Sequence, residues 1–363
     1  MHRIATLIFS LLFVLPAAAQ TVSSQVGTLR VETMLSGLDE PWALAFLPDG
    51  GFLVTERDGD LLYVKDGKAQ KIRGVPRVVA NGQGGLLDVI VPRDFTSSRD
   101  VFLTHSVRQG SGSGTAVTVG KLSRDGTSLQ NTRQIFEAAP SSSGGRHFGS
   151  RIVEARDGTL FVTLGERGDR PSAQDLTRHQ GSVVRINRDG STPRDNPFLG
   201  RSDAQPEIWS YGHRNPQGMA LGLDGSIWGV EHGAKGGDEI NRIRKGRNYG
   251  WPVISYGRHY SGGKIGEGTH KEGMEQPDYY WDPSIAPSGM MIYSGKMWPQ
   301  WRGHIFVGSL KFDYISRLYG APLKEREQLK SDLTERVRDI REAPDGSIWF
   351  ISVGQGAIYR MTR

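Results

Sequence analysis

Trp42-Ala43-Leu44-Ala45-Phe46-Leu47-Pro48-Asp49-Gly50-Gly51-Phe52-Leu53-Val54 reads as a short apolar strand, an Asp-Gly turn and a second apolar strand. Asp-Gly between two such runs is a hairpin signal, because both residues tolerate the backbone that reverses a twisted strand pair. The unit recurs at Ile152 onward with Asp157-Gly158, at Met219 onward with Asp224-Gly225, and at Ile340 onward with Asp345-Gly346. Two degenerate copies fill the gaps, one turning at Asp94 to Arg99 between Leu86 and Phe102, the other at Trp298 to Arg302 between Met291 and Phe306. The turns are spaced by 45, 63, 67, 74 and 47 residues, which allows one four-stranded blade each, with long loops in the middle blades. The pattern predicts an all-β, six-bladed β-propeller of antiparallel four-stranded blades. A sandwich or barrel whose Asp-Gly turns coincide by chance is the competing fold, and no Gly-His and Trp-Asp signature marks a WD40 array.

Composition agrees with many short strands. The 48 glycines are spread along the 363 residues rather than gathered in a linker. At the N-terminus, Arg3 precedes an apolar run from Ile4 to Val14 that ends in Pro16-Ala17-Ala18-Ala19, the pattern of a secretory signal peptide over residues 1–19. Residues 20–363 are then one propeller domain, exported to the periplasm and without a membrane span. The chain has no cysteine, which excludes disulfides, thiolate zinc sites and cysteine nucleophiles and leaves oxygen or imidazole ligands for any metal. The formal charge of +6 becomes +5 without Arg3, and acids and bases alternate along the chain. Such a surface gives no basic stripe for nucleic acid.

Hairpin register carries the reading from fold to function. Residues about ten before each turn and seven to nine after it share the open end of the hairpin, because the two strands run to and from the turn. Gln83, His147, Arg214 with Asn215, and Arg336 with Arg338 stand there before the turns. After the turns come Glu56, His105, Glu166, Glu231 with His232, and, slightly later, Lys311. In a propeller these converge at one mouth of the axis. His147 with Glu166 has the makings of a general base and the carboxylate that orients it, although a structural histidine beside a solvated glutamate has the same spacing. Arg336-Val337-Arg338 puts two guanidiniums on one face of a strand, and Lys311 adds a third cation. Repulsion among them calls for an anionic ligand, whereas an isolated Arg-x-Arg is ordinarily an ion-paired surface strand. The segment from Glu231 to Glu239 is rich in glycine and oxygen donors and suits a hard cation or a plain flexible loop equally. A Gly-x-Ser-x-Gly elbow and a nicotinamide-binding Gly-x-Gly-x-x-Gly are both absent.

These segments resemble the soluble, pyrroloquinoline quinone (PQQ) dependent aldose and glucose dehydrogenases, which are six-bladed propellers. The matching motifs are Gly82-Gln83-Gly84-Gly85-Leu86-Leu87-Asp88, the His147 and Glu166 segments, and His213-Arg214-Asn215-Pro216-Gln217-Gly218. They continue with Asp238-Glu239-Ile240-Asn241, Asn248-Tyr249-Gly250-Trp251-Pro252, Ser309-Leu310-Lys311 and Arg336-Val337-Arg338-Asp339. The resemblance implies that His147 takes the proton from the anomeric hydroxyl, with Gln83 and Glu166 near the sugar, and that Arg214 stabilises the oxygen as it becomes negative. It implies that Asn215, Lys311, Arg336 and Arg338, with Arg214, bind the tricarboxylate cofactor. Calcium is expected on the main-chain carbonyls of Gly233 and Ala234, and a second calcium at Glu239 and the Tyr249 carbonyl. The glucose-specific branch has aspartate where Glu166 stands and proline where Ala234 stands, so broad aldose specificity is implied.

The expectation is a periplasmic aldose dehydrogenase that forms lactones and passes electrons to an external acceptor, as monomer or homodimer. A calcium-dependent propeller lactonase would not need Lys311, Arg336 and Arg338. A non-catalytic propeller that binds sugar or protein would not need His147.

Overall fold

The computed structural model describes residues 20–363, so the signal peptide read over residues 1–19 lies outside the described residues. The N-terminal hairpin, β1 (Gln20–Ser24) and β2 (Gly27–Ser36), belongs to the last blade rather than the first. Blade 1 follows as β3 (Pro41–Phe46), β4 (Phe52–Glu56), β5 (Leu61–Lys65) and β6 (Lys68–Lys71). Blade 2 comprises β7 (Leu86–Ile90), the single helical turn α1 (Phe95–Ser98), β8 (Asp100–Gln109), β9 (Gly112–Leu122) and β10 (Leu129–Glu137). Blade 3 is β11 (Ile152–Glu154), β12 (Leu160–Thr163), β13 (Ser182–Ile186) and β14 (Ile208–Tyr211). Blade 4 is β15 (Pro216–Leu221), β16 (Ile227–Glu231), β17 (Asp238–Ile243) and β18 (Tyr279–Trp281). Blade 5 is β19 (Pro287–Ile292), β20 (Ile305–Ser309), β21 (Ile315–Tyr319) and β22 (Lys324–Leu329). In blade 6, β23 (Val337–Glu342), β24 (Ile348–Ser352) and β25 (Ala357–Thr362) are completed by β2 and then β1, giving five strands where four were expected. The antiparallel register Arg30↔Thr362 through Ser36↔Ala357 closes the ring.

The six expected hairpins are the two inner strands of the six blades. Their turns are built alike. The carboxylate of Asp49, Asp157, Asp224 or Asp345 accepts a hydrogen bond from the backbone N–H two residues on, at 2.9–3.0 Å. This side-chain mimic of a backbone turn explains why aspartate recurs there. The degenerate copies substitute one helical turn at α1 and a 3-10 turn at Pro299–Trp301 that buries Trp301.

Sequence pattern follows radial position. The inner strand Leu86–Ile90 is buried throughout because it packs on both faces, whereas outer β22 alternates exposed and half-buried residues. Apolar cores lie between neighbouring blades. Leu44, Phe52, Trp349 and Ile351 join blades 1 and 6. Phe161, Val183, Met219 and Ile227 join blades 3 and 4. Among the described residues no helix is long and apolar enough to cross a membrane.

Around the axis, the inner strands converge on buried charge. Arg151 Nη1 lies 3.0 Å from Asp88 Oδ1 and 3.1 Å from Asp339 Oδ1. Arg341 closes the cluster, 2.9 Å from each of the same two carboxylates. Backbone N–H groups of Leu44 and Ile152 donate to Asp339 and Asp88, and Arg151 Nε donates to Gln217 O. Gly289 completes the circle from blade 5, where a Cβ would stand 2.4 Å from Asp339 Oδ1. Removing one carboxylate leaves buried guanidinium charge uncompensated, which typically costs about 3–5 kcal/mol. Asp339→Asn is therefore expected to lower unfolding free energy by about that amount in a denaturant titration, with little change in the slope m.

Candidate active site

The open ends of the inner hairpins surround a cavity of about 600 Å³ at one mouth of the axis. Gln83, Asn215, Lys311, Arg336 and Arg338 line it, so five residues from blades 2, 4, 5 and 6 meet there as their register predicted. His232 lines it as well, and also lines two adjoining cavities.

His147 and Glu166 stand at the edge of this cavity rather than on its wall. His147 Nδ1 is 2.6 Å from Glu166 Oε1. An ionised carboxylate only accepts, so Nδ1 carries the hydrogen and Nε2 keeps its lone pair. Glu166 is 1% exposed, and its second oxygen, Oε2, has no partner. Gln83 secures the backbone of the histidine, its Oε1 accepting from His147 N at 2.7 Å. His147 has φ +54°, a left-handed backbone unusual for a non-glycine residue, and Arg336 (φ +50°) and Ala286 (φ +51°) at the cavity share it. Close approach by glycine permits the geometry, since a Cβ on Gly165 would stand 2.0 Å from His147 O. Burial holds the His147 imidazole below its ordinary pKa, helped by the charges of Arg214 and Arg146, while Glu166 opposes the shift. The ring is accordingly neutral near pH 7.

Arg214 is set by a buried carboxylate. Glu231 accepts from Arg214 N at 2.7 Å and lies 2.8 Å from His213 Nδ1, while the His213 ring stacks on Tyr249. The Arg214 guanidinium packs over Trp251 and reaches His232 O at 3.4 Å, yet its Nε has no partner. Asn215 Oδ1 accepts from Gly149 N and Gln217 Nε2, which leaves its Nδ2 as a donor.

Arg338 is the most demanding group. Its one hydrogen bond goes to the neutral Gln217 Oε1, 3.0 Å away, and burial with the neighbouring Arg151 and Arg336 charges pushes its pKa down to about 9. Arg336 donates to Leu310 O, and the Lys311 ammonium lies over the Phe312 ring. Three cations therefore face one cavity with no carboxylate paired to any of them among the described residues, so an anion of several charges fits.

Oxygen donors form two further groups. Gly233, Glu239 and Tyr249 line a cavity of about 10 Å³ beside Glu231, large enough for one ion or water. Glu239 lies opposite Glu231 across the β16–β17 ladder, and burial together with that like charge pushes its pKa up to about 8. A cation would relieve both effects. Ala234 belongs to a different, outer cavity. Among the described residues no three carboxylate or imidazole side chains converge, so a metal here would depend on main-chain carbonyls.

Some expectations fail in parity or depth. Glu56 is directed away from the cavity and accepts from Asp39 N at 2.6 Å, while its neighbour Arg57 lines the wall. Successive side chains alternate faces, so one position decides. His105 is inside blade 2, its Nε2 2.9 Å from Thr118 Oγ1, where burial lowers its pKa to about 4. Trp42, Arg57 and Gln217 were not assigned roles from sequence. Gln217 belongs to the segment His213–Gly218, and Arg57 sits one residue beyond the expected mouth position.

A six-bladed propeller with a histidine–carboxylate pair beside an anion-seeking axial pocket has the parts for general-base chemistry beside a bound anion. Residues 38–360 match the glucose/sorbosone dehydrogenase family. The chain belongs to that family, and so to the sugar-oxidising enzymes. Aldose sugar dehydrogenase YliI of Escherichia coli (strain K12) is 45% identical over 90% of each chain. The crystal structure of the soluble E. coli aldose sugar dehydrogenase in its apo form superposes with TM-score 0.89 at 43% identity, covering 92% of this chain and 99% of that one. The PQQ-bound aldose sugar dehydrogenase of Streptomyces coelicolor superposes with TM-score 0.76 at 26% identity, covering 91% and 97%.

A base must be neutral to accept a proton, so turnover should rise with pH through the His147 pKa, placing the acidic limb below about pH 6.5. Glu166→Gln removes the charge that favours the imidazolium. It should shift that limb to still lower pH and reduce kcat by on the order of tenfold, read from pH–rate profiles.

Proposed function

We propose that this chain oxidises the C1 hydroxyl of aldoses to lactones in the periplasm, with PQQ and calcium as cofactors, broad sugar specificity and an external electron acceptor. The observation that carries the reading is the cation cluster of Lys311, Arg336 and half-buried Arg338 facing a cavity beside a neutral, carboxylate-held histidine. When bound, the quinone supplies the two-electron acceptor for hydride leaving C1, with calcium as its Lewis acid. Lys311, Arg336, Arg338, Arg214 and Asn215 would hold the cofactor's carboxylates and neighbouring oxygens. The Gly233 and Ala234 carbonyls would hold calcium, and the 10 Å³ cavity with Glu239 and the Tyr249 carbonyl would take a second ion.

His147 Nε2 removes the proton from the C1 hydroxyl. Glu166 keeps Nδ1 protonated, steadies the imidazolium that forms, and with Gln83 flanks the sugar. Arg214 places unpaired positive charge where the C1 oxygen becomes negative. The N-terminal pattern of Arg3, the apolar run and Pro16-Ala17-Ala18-Ala19 supports export to the periplasm. The lactonase alternative leaves Arg338 and its neighbours without a purpose.

The test is reconstitution of purified protein with PQQ and calcium, followed by reduction of an artificial electron acceptor with several aldoses. Aldose-dependent reduction is expected, and its absence in folded, reconstituted protein overturns the reading. His147→Ala should retain quinone binding and lose ~10²–10⁴-fold in kcat. Arg338→Ala should weaken quinone binding by on the order of ten- to a hundredfold, about 1.5–3 kcal/mol, measured by fluorescence titration.

A further inference from the structure

Beyond the axial cavity lies a second one of about 620 Å³, which shares His232, Ala286 and Lys311 with it. Its remaining wall includes Lys235, Arg258, Tyr260 and Asp282. The segment between β17 and β18 contributes Arg258 and Tyr260 to this wall. It is anchored to the mouth where Tyr249 N donates to Tyr211 O and Trp251 N to Gly212 O, both at 2.8 Å. It then crosses the glycine-rich loop, where Lys235 N donates to Arg258 O at 3.1 Å and the two residues form a β-bridge. Backbone pairing thus holds two like charges side by side against their repulsion. Neither Lys235 nor Arg258 takes part in an ion pair among the described residues, and Asp282 is the one carboxylate in the wall.

Arg336 and Arg338 do not line the outer cavity, whereas Lys311 lines both, so Lys235 and Arg258 are the cations found in the outer one alone. Tyr260, 69% exposed at the rim, offers an aromatic face of the kind that packs on the apolar face of a pyranose. The outer cavity adjoins the axial one along His232, Ala286 and Lys311, which puts it within reach of the end of a sugar remote from C1.

We infer that the outer cavity is a subsite for an anionic group, carboxylate or phosphate, carried by the aldose away from C1, with Lys235 and Arg258 as the specificity-determining residues. The inference rests on the aldose-oxidising reading of the axial cavity and names the substrate class that reading leaves open. Lys235 and Arg258 are both exposed, and they contribute through Coulombic attraction that ionic strength screens.

The test compares kcat/KM of the reconstituted holoenzyme for a neutral aldohexose, its 6-carboxylate and its 6-phosphate at low and high salt. Both anionic sugars should exceed the neutral one by on the order of tenfold at low salt, through KM, and the advantage should shrink at high salt. An advantage for only one of them identifies carboxylate or phosphate as the group read. Lys235→Gln with Arg258→Gln should erase the advantage and leave turnover of the neutral sugar unchanged. Oxidation of the neutral sugar with no anionic advantage, or an advantage that survives both substitutions, overturns the subsite while leaving the proposed function intact. If no aldose is oxidised, that function fails separately, and calorimetric titration of the 6-carboxylate and 6-phosphate into the same protein decides the subsite. Millimolar-or-tighter binding lost in the double variant supports it, and no binding or unchanged binding overturns it.

Discussion

Arg151, held between Asp88 and Asp339 at the axis, is the constraint on which the rest of the molecule is arranged. Inner strands of all six blades reach it, five through a side chain or backbone group bonded within the cluster and β19 through the close approach of Gly289. Two carboxylates against two guanidiniums make the cluster electrically complete. That completeness has a chemical result at the neighbouring mouth. The axial acids are engaged by Arg151 and Arg341, and the one hydrogen bond of Arg338 goes to the neutral amide of Gln217. The unpaired charge of the pocket is thus a property of the whole axis, and the pocket selects an anion because the protein retains none for it.

The mouth is assembled by residues with narrow tolerances. His147 depends on Gln83 from the preceding blade for its backbone and on Glu166 from its own blade for its tautomer. Arg214 depends on Glu231 across its hairpin. A displacement of one blade would therefore disturb base, anion site and oxygen donors together. Positive φ values at His147, Ala286 and Arg336 show the backbone held away from its preferred conformations at the same place.

Much of this was legible in the sequence, because turn chemistry is local and propeller geometry is repetitive. Asp49, Asp157, Asp224 and Asp345 each announce a hairpin, and a hairpin fixes which residues share its open end. What periodicity could not supply was face parity and depth. Glu56 and Arg57 are adjacent, yet only Arg57 reaches the cavity, and His105 has the right height but points into its own blade. The axial cluster was hidden because Asp88, Arg151 and Asp339 are distant in sequence and no local pattern links them. The segment from Arg244 to Asp278 has no repeat to read, since its path is set by contacts with other loops. Likewise, nothing in Gly27–Ser36 indicates that its partner is the final strand rather than the next one.

That last pairing separates the order of synthesis from the order of completion. β2 emerges early but finds its ladder only when Ala357–Thr362 has been made, so the ring stays unsealed until almost the whole polypeptide is available. Contacts spanning such sequence distances form late and slowly. Until that pairing forms, β25 presents an open strand edge, the kind of edge on which a second chain can add instead.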